Sequence, residues 1–460
     1  ESPDPNPWPN SNNGLGDGGG GGEGGPRGGG DGLSWRTCVT RYQGNLERTN
    51  AALQWLADHQ NEAGYWHPEK YLEDSIRLKQ WKDCVSTNNI DVTAETPKEA
   101  DKGNDHFRVG ITGLALLAFV GDGHTHKDGD FKATVKRASQ WLIATQDAEG
   151  CFGTREEDEF VYNHAICTMA IAELYAMTQT QLFKGPAQLA VDFIVKCQNP
   201  GLGWRYGVKP MENDSSVTAW MVLALKSAKI ADLKFNAAEV YAGANEWFNR
   251  VYDVPSEALY SNTPITSPKK VTGYNSPASG NSRPGNRSQW EQNASMDACN
   301  AMVRLFTGAQ ERGKRDLRNL GELMIQDLPS WIEKNPDTGK ESALKVDYYY
   351  WYYGSLAAFQ MGDPYWTKWE RSLMGPILLK YQRGYHPKDL VTFGEDVTRA
   401  ALKKGTLLSR TSNKKEGRQI LDEHGSWDCL DPWSEHGGRV YATAINALTL
   451  EVYYRYAKVK

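Results

Sequence analysis

The sequence has no long basic run and little net charge: 52 Lys and Arg against 57 Asp and Glu leave a formal charge of -5. A surface that holds nucleic acid needs a concentrated cationic stripe, so no nucleic-acid partner is expected. No apolar run is long enough to span a bilayer. The longest, Gly110–Gly121, falls well short of the roughly 20 residues a transmembrane helix requires. Seven cysteines occur without a Cys-x-x-Cys, which disfavours a zinc ribbon or a thioredoxin-type pair. Cys151 and Cys197 end consecutive expected helices, where a disulfide or two buried thiols would fit equally well. Strand-period alternation is lacking too, so no β-rich core competes with the helical pattern below. The first residue is Glu1 rather than Met, and a signal peptide or membrane anchor upstream of it is an expectation.

Residues 1–33 hold Pro-rich and then Gly-rich sequence (DGGGGGEGGPRGGGDG) with almost no apolar side chains. Such a segment cannot repay its ordering entropy and reads as a flexible tether. The rest, 34–460, reads as one body with insertions near 71–105, 253–292 and 383–425. Its unit is clearest at Lys184–Lys229. An amphipathic helix carrying Leu189, Phe193, Ile194 and Cys197 stops at Gln198-Asn-Pro-Gly201. A Gly203-Trp204 turn follows, and Asp214 or Ser215 caps a second helix that is apolar almost all round. An amphipathic helix followed by an all-apolar one implies an outer and an inner layer. Six such pairs run from Leu46 to the C-terminus, and Pro376 is expected to kink the sixth outer helix. The fold class is therefore all-α, an (α/α)6 toroid of six outer and six inner helices. Within the insertion at 383–425, a short helix is expected over 396–410.

A motif marks the joints. Gln60-Asn-Glu-Ala-Gly64-Tyr-Trp66 and Gln146-Asp-Ala-Glu-Gly150-Cys-Phe152 share one spacing. Gln198…Gly203-Trp204 is a variant, and Gln382 with Gly425-Ser-Trp427 is the same motif split by an insertion. A Gln near a helix end is placed to hydrogen-bond orphan carbonyls of that terminus, Gly permits the turn, and the aromatic packs over a neighbour. These resemble the QW-type repeats of the terpenoid cyclase and protein prenyltransferase superfamily. GHTHKDGDFKATVKRASQWLIATQDAEGCFG, QNPGLGWRYG and GGRVYATAINALTLEVYYRY are similar to bacterial prenyltransferase/squalene-oxidase-repeat proteins. That resemblance implies the toroid. It also implies an extracytoplasmic location, periplasmic or at the cell surface, behind a Gly-rich linker.

The family's chemistry is not carried over. Proton-initiated cyclases resemble one another in a D-x-D-D-T-A run; matching Thr218-Ala219 to it leaves Asp214, Ser216 and Val217 at the acidic positions. The proton donor would be Val217, which has no proton to give. Protein prenyltransferases resemble one another in a zinc site of Asp-x-Cys plus a His on the last inner helix. Asp297-Ala-Cys299 matches the first half, but Tyr441-Ala442-Thr443 lacks the His, leaving His436 as a weak stand-in. No metal and no cofactor are expected. The Cys-Gly-Glu-Gln run of thioester domains is absent.

Inner-helix N-termini converge on one mouth of a toroid, and polar residues gather at those starts: Asp105, His106, Arg108, Asn163, His164, Asp214, Asp297, Asp347, Asp431, Arg439 and Tyr441. Capping accounts for Asp214 and Asp347. His164 and Arg439 are poor caps on apolar helices and are the foremost site candidates. Trp433 stands just before the last inner helix. Trp220, Tyr348, Trp351 and Tyr352 are candidates for an aromatic cavity wall able to stack on sugars, hydrophobic chains or cations. The run Gly123-His124-Thr-His126-Lys-Asp128-Gly-Asp130 lacks a complete ligand register and reads as a turn.

Three functions follow. The leading one is a non-catalytic extracytoplasmic module that holds a hydrophobic, glycan or peptide ligand or a protein partner. The others are an isoprenoid cyclase or prenyltransferase with a non-standard site, marked by metal at Asp297 and Cys299, and a carbohydrate-active enzyme of lyase type, marked by uronate turnover that depends on Arg439.

Overall fold

The computed structural model describes residues 43–77, 79, 92–94, 101–156, 160–252, 272–277, 294–310, 314–334, 341–384, 408–411, 418–421 and 423–455. The expected tether at 1–33 lies outside these, as do most of 253–292 and much of 383–425.

Outer helices are α1 (Gln43–Asp58), α3 (Lys132–Ala144), α5 (Gln181–Cys197), α7 (Ala237–Val251), α9 (Arg315–Gln326) and α11 (Tyr365–Leu373). Inner helices are α2 (Arg108–Gly121), α4 (Phe160–Thr178), α6 (Ser215–Ile230), α8 (Ala294–Thr307), α10 (Tyr348–Met361) and α12 (Ser434–Arg455). Each inner helix packs on the next and α12 packs back on α2, so the inner layer is a closed ring. Outer helices bury one face, as α9 does with Leu317, Leu320 and Met324, while α6 is buried from Ser215 to Ala228. The chain is thus an (α/α)6 toroid.

The repeated glutamines bind the ring together, by a different route from the one the sequence suggests. Gln60 Nε2 donates to its own turn at Gly64 O (2.8 Å) and to Thr134 O (3.0 Å) on the next outer helix. Gln146 repeats this with Gly150 O and Pro186 O, and Gln198 with Leu202 O and Val240 O. Gln382 donates to Gly425 O and to Arg48 O in α1, which joins the last repeat to the first. These four glutamines therefore clip one outer helix to the next at four of the six junctions, instead of capping their own helix. The turn aromatics bond backward: Trp66 Nε1 to Leu56 O, Trp204 Nε1 to Ile194 O and Trp427 Nε1 to Leu378 O. Gly64 (φ +109) and Gly425 (φ +94) are required, since a Cβ would lie 2.4 Å from Arg137 O and 2.2 Å from Ala51 O.

Several local expectations change. Residues around Pro376 form a π-helical turn, Met374–Leu379, because proline cannot donate the α-helical bond. The fifth outer helix stops at Gln326 ahead of Pro329, and Ile332–Lys334 (β2) pairs with Glu341–Leu344 (β3). Of the helix expected over 396–410, residues 396–407 lie outside the described residues, and Leu408–Thr411 (β4) is a strand. It pairs with Arg418–Leu421 (β5), which pairs in parallel with Val92–Ala94 (β1). The first and third insertions thus meet in one small sheet. Cys151, Cys167, Cys197, Cys299 and Cys429 are free, buried thiols, and burial pushes Cys151 and Cys197 up to about 12.

Candidate functional site

The inner-helix N-termini meet at one mouth. Ser216 Oγ lies 2.8 Å from the Tyr349 hydroxyl, the Tyr349 ring is 5.6 Å from that of Trp433, and Phe107 packs 4.7 Å from His436. Below it aromatics of α6 and α10 pack on one another, with Trp220 stacked on Tyr352 at 6.0 Å. Tyr348, Trp351 and Tyr352 are buried to 1% exposure or less. The Tyr348 hydroxyl donates to Asp428 O, and the Trp351 ring rests between those of Tyr348 and Trp331.

The two foremost candidates are placed away from the lumen. His164 Nδ1 accepts from Phe152 N (3.2 Å), and Nε2 lies 3.0 Å from Ala190 O on α5. Burial pulls its pKa down to about 4, so the neutral ring straps α4 to the outer layer. Arg439 is 1% exposed and bonds to Asp101 (2.9 Å), Asp428 (2.9 Å), Ser426 Oγ and Trp427 O. It anchors the segments around residues 101 and 423–428 to α12.

Three hub acids are buried as well. Asp214 caps α6 by accepting from Val217 N, and burial pushes its carboxyl up to about 7. Asp431 accepts from Ser434 Oγ and from the Tyr441 hydroxyl (3.2 Å), and burial again raises it to about 7. Asp297 is buried and raised to about 7 for the same reason, while the Cys299 thiol sits 3.6 Å from the Tyr349 hydroxyl. Asp297, Cys299 and His436 are not brought together: among the described residues no three His, Cys, Asp or Glu side chains surround one point. The Gly123–Asp130 segment is a turn, in which Thr125 Oγ1 accepts from the backbone of Lys127 and Asp128.

A cleft opens on the mouth between the starts of α2 and α4. Its volume is about 890 Å³, and its lining includes Asp105, His106, Arg108, Trp141, Asp147 and Arg155. Phe160 and Asn163 form its inner wall, with Glu69 and Asn104 on the rim. His106 and Arg108 were expected at a site; Trp141, Asp147, Arg155 and Glu69 come from an outer helix and two turns that sequence reasoning assigned to scaffolding. Three carboxylates (Glu69, Asp105, Asp147) face two guanidiniums (Arg108, Arg155), so the cleft carries both signs in near balance. Arg108 pairs with Asp105, and Arg155 with Asp147 and Glu149.

Behind Arg108, Asp105 and His67 continue the contacts away from the cleft. Asp105 Oδ1 is 3.1 Å from His67 Nδ1, whose Nε2 is 3.1 Å from the Tyr65 hydroxyl. The Tyr65 ring packs on Trp141 at 5.1 Å, and the Arg108 guanidinium sits 4.8 Å over its centroid. Burial, then the Arg108 charge, lowers the His67 pKa, so the ring is neutral at pH 7.

No protein-family model and no curated protein matches the chain. Among solved structures it is similar to the cellobiose 2-epimerase of Bacillus thermoamylovorans, at 12% identity and TM-score 0.48, over 90% of this chain and 99% of that one. It is also similar to an inactive variant of an alpha-1,6-mannanase of Salegentibacter sp. in complex with alpha-1,6-mannotriose, at 11% identity and TM-score 0.46 (90% and 98% covered). A third is an unsaturated glucuronyl hydrolase specific for heparin, at 11% identity and TM-score 0.39 (89% and 97% covered).

Proposed function

We propose that the protein is a carbohydrate-active toroid that takes an uncharged glycan in the cleft between α2 and α4. The observation that carries this reading is the lining of that cleft. Trp141 offers a partly exposed ring on which a sugar face can stack. Around it, carboxylates accept from sugar hydroxyls, while guanidiniums and the Asn104 and Asn163 amides donate to them. The near balance of charge favours a neutral oligosaccharide over a polyanion, which would meet three carboxylates. The mouth is open, as a chain-like ligand needs.

An isoprenoid reading has less support. The Gln and Trp repeats that resemble the prenyltransferase superfamily are spent on the ring scaffold, and the hub aromatics pack against one another. Export from the cytoplasm suits a glycan ligand and stays part of the proposal. Among the described residues no helix is long and apolar enough to cross a membrane.

Isothermal titration against neutral trisaccharides of glucose and mannose, an oligogalacturonate and farnesyl diphosphate tests the reading. A neutral glycan should bind, and Trp141→Ala should weaken it by about threefold to tenfold, the order expected for one lost stacking contact. Binding of farnesyl diphosphate alone would overturn it.

A further inference from the structure

Asp105 is claimed from two sides. Its Oδ1 accepts from Arg108 Nε at 3.0 Å and lies 3.1 Å from His67 Nδ1, so a guanidinium and an imidazole share one carboxylate oxygen. Arg108 and Asp105 line the cleft, whereas His67 stands behind them, partly buried. We infer that His67 sets the charge of this side of the cleft, and that its protonation makes the Arg108 end a seat for the carboxylate of an acidic sugar. The inference rests on the glycan reading of the cleft and adds to it a control by pH over which glycans are taken.

While His67 is neutral, its Nδ1–H donates to Asp105, and the Asp105 charge is left to oppose Arg108. The ion pair sums to zero, and an anion in the cleft gains little from it. A proton on His67 adds one positive charge beside the same carboxylate. Asp105 then answers two cations, and Arg108 faces the cleft with charge that is no longer cancelled. Nothing has to move for this. The guanidinium already lies 4.8 Å over the Tyr65 ring and is partly exposed. The Tyr65 contact at 3.1 Å survives too, because Nε2–H of the charged ring donates to the phenolic oxygen.

The groups that face His67 set the pH at which it charges. They are Asp105 and Arg108 at the start of α2, Lys70, Glu73 and Asp74 on the segment that follows it, and Tyr65 in the first joint. Burial, then the Arg108 charge, outweighs Asp74 and Glu73 and keeps the ring neutral at pH 7, so the change falls below pH 6.5. An anion seated on Arg108 offsets part of what holds the proton off. Proton and anion therefore bind cooperatively, each strengthening the other by the same factor.

The test uses the full chain and calorimetry with trigalacturonate and a neutral glucose trisaccharide, at about pH 7.5 and about pH 4.5, where a carboxyl of ordinary acidity is mostly ionised. His67→Gln keeps a side-chain donor for Asp105 and takes no proton. On going to the lower pH, the wild type should gain about threefold to tenfold more affinity for trigalacturonate, relative to the neutral sugar, than His67→Gln does. Any other group that titrates in the cleft does so in both proteins, so the difference belongs to His67. Arg108→Gln should lose the gain as well, since the seat itself is gone. In the wild type, bound trigalacturonate should raise the midpoint of the His67 imidazole, followed by NMR, by about 0.5–1 in pH, the same coupling read from the proton's side. A His67 that serves only packing would leave that midpoint unmoved. Equal gains in wild type and His67→Gln, or a midpoint that trigalacturonate does not shift, would overturn the inference and leave neutral-sugar binding standing. A wild type that binds neither sugar would overturn the glycan reading as well.

Discussion

Asp214 shows how one side chain serves the fold at a cost that depends on pH. It is fully buried, accepts from Val217 N, and titrates near 7 because burial disfavours its charge. Between its ordinary value of 3.8 and about 7, the folded chain holds a proton that the unfolded chain has lost. Stability from this group therefore falls as pH rises through that window and levels off above it. Asp214→Asn keeps the cap and removes the titration. The variant should gain on the wild type between pH 4 and pH 8, by on the order of a few kcal/mol. The same difference in melting temperature between the two proteins at pH 4 and at pH 8 would contradict it. Its position ahead of an apolar helix made the cap readable in sequence. His164 was not readable in the same way. A histidine on an apolar helix looks like a site residue until Phe152 N and Ala190 O are seen to use both ring nitrogens.

At the scale of elements, the joints between hairpins carry the specificity of the fold. Gly425 has φ +94, and an added Cβ would meet Ala51 O at 2.2 Å, in the helix that starts the ring. Gly425→Ala should cost about 1–3 kcal/mol, read as a fall in the chemical-denaturation midpoint. The Gln-Gly-Trp spacing announced these joints. It did not announce that each glutamine reaches forward to the next outer helix, because that partner lies tens of residues away. The strands near 408–421 and 92–94 were hidden for a related reason: a three- or four-residue strand has too little periodicity to show.

On the scale of the whole molecule, closure is what distinguishes this ring from an open stack of hairpins. Gln382 bonds to Arg48 O across 334 residues, and α12 packs on α1 and α2. An open array frays from its ends, whereas a closed ring has none, so calorimetry should show one endotherm. Arg439→Met tests what holds the insertions to that ring. It strands Asp101, Glu423 and Asp428 around a buried apolar side chain and should cost about 3–5 kcal/mol. Two resolved transitions in the wild type, or an unaltered melt in the variant, would refute the respective claim.

The sequence by itself determined the alternation of amphipathic and apolar helices, the count of hairpins and the joints between them, because each depends on residues within one or two turns of each other. It also placed His106 and Arg108 at the mouth. Only the tertiary structure decided where the open space lies. The aromatic run packs ring on ring, and the cleft that gathers Arg108 and Trp141 lies between α2 and α4. Its lining joins residues from Glu69 to Asn163 that no local pattern connects. Whether a polar side chain faces a ligand or a buried partner is set by what packs against it, and that partner is usually remote in the chain.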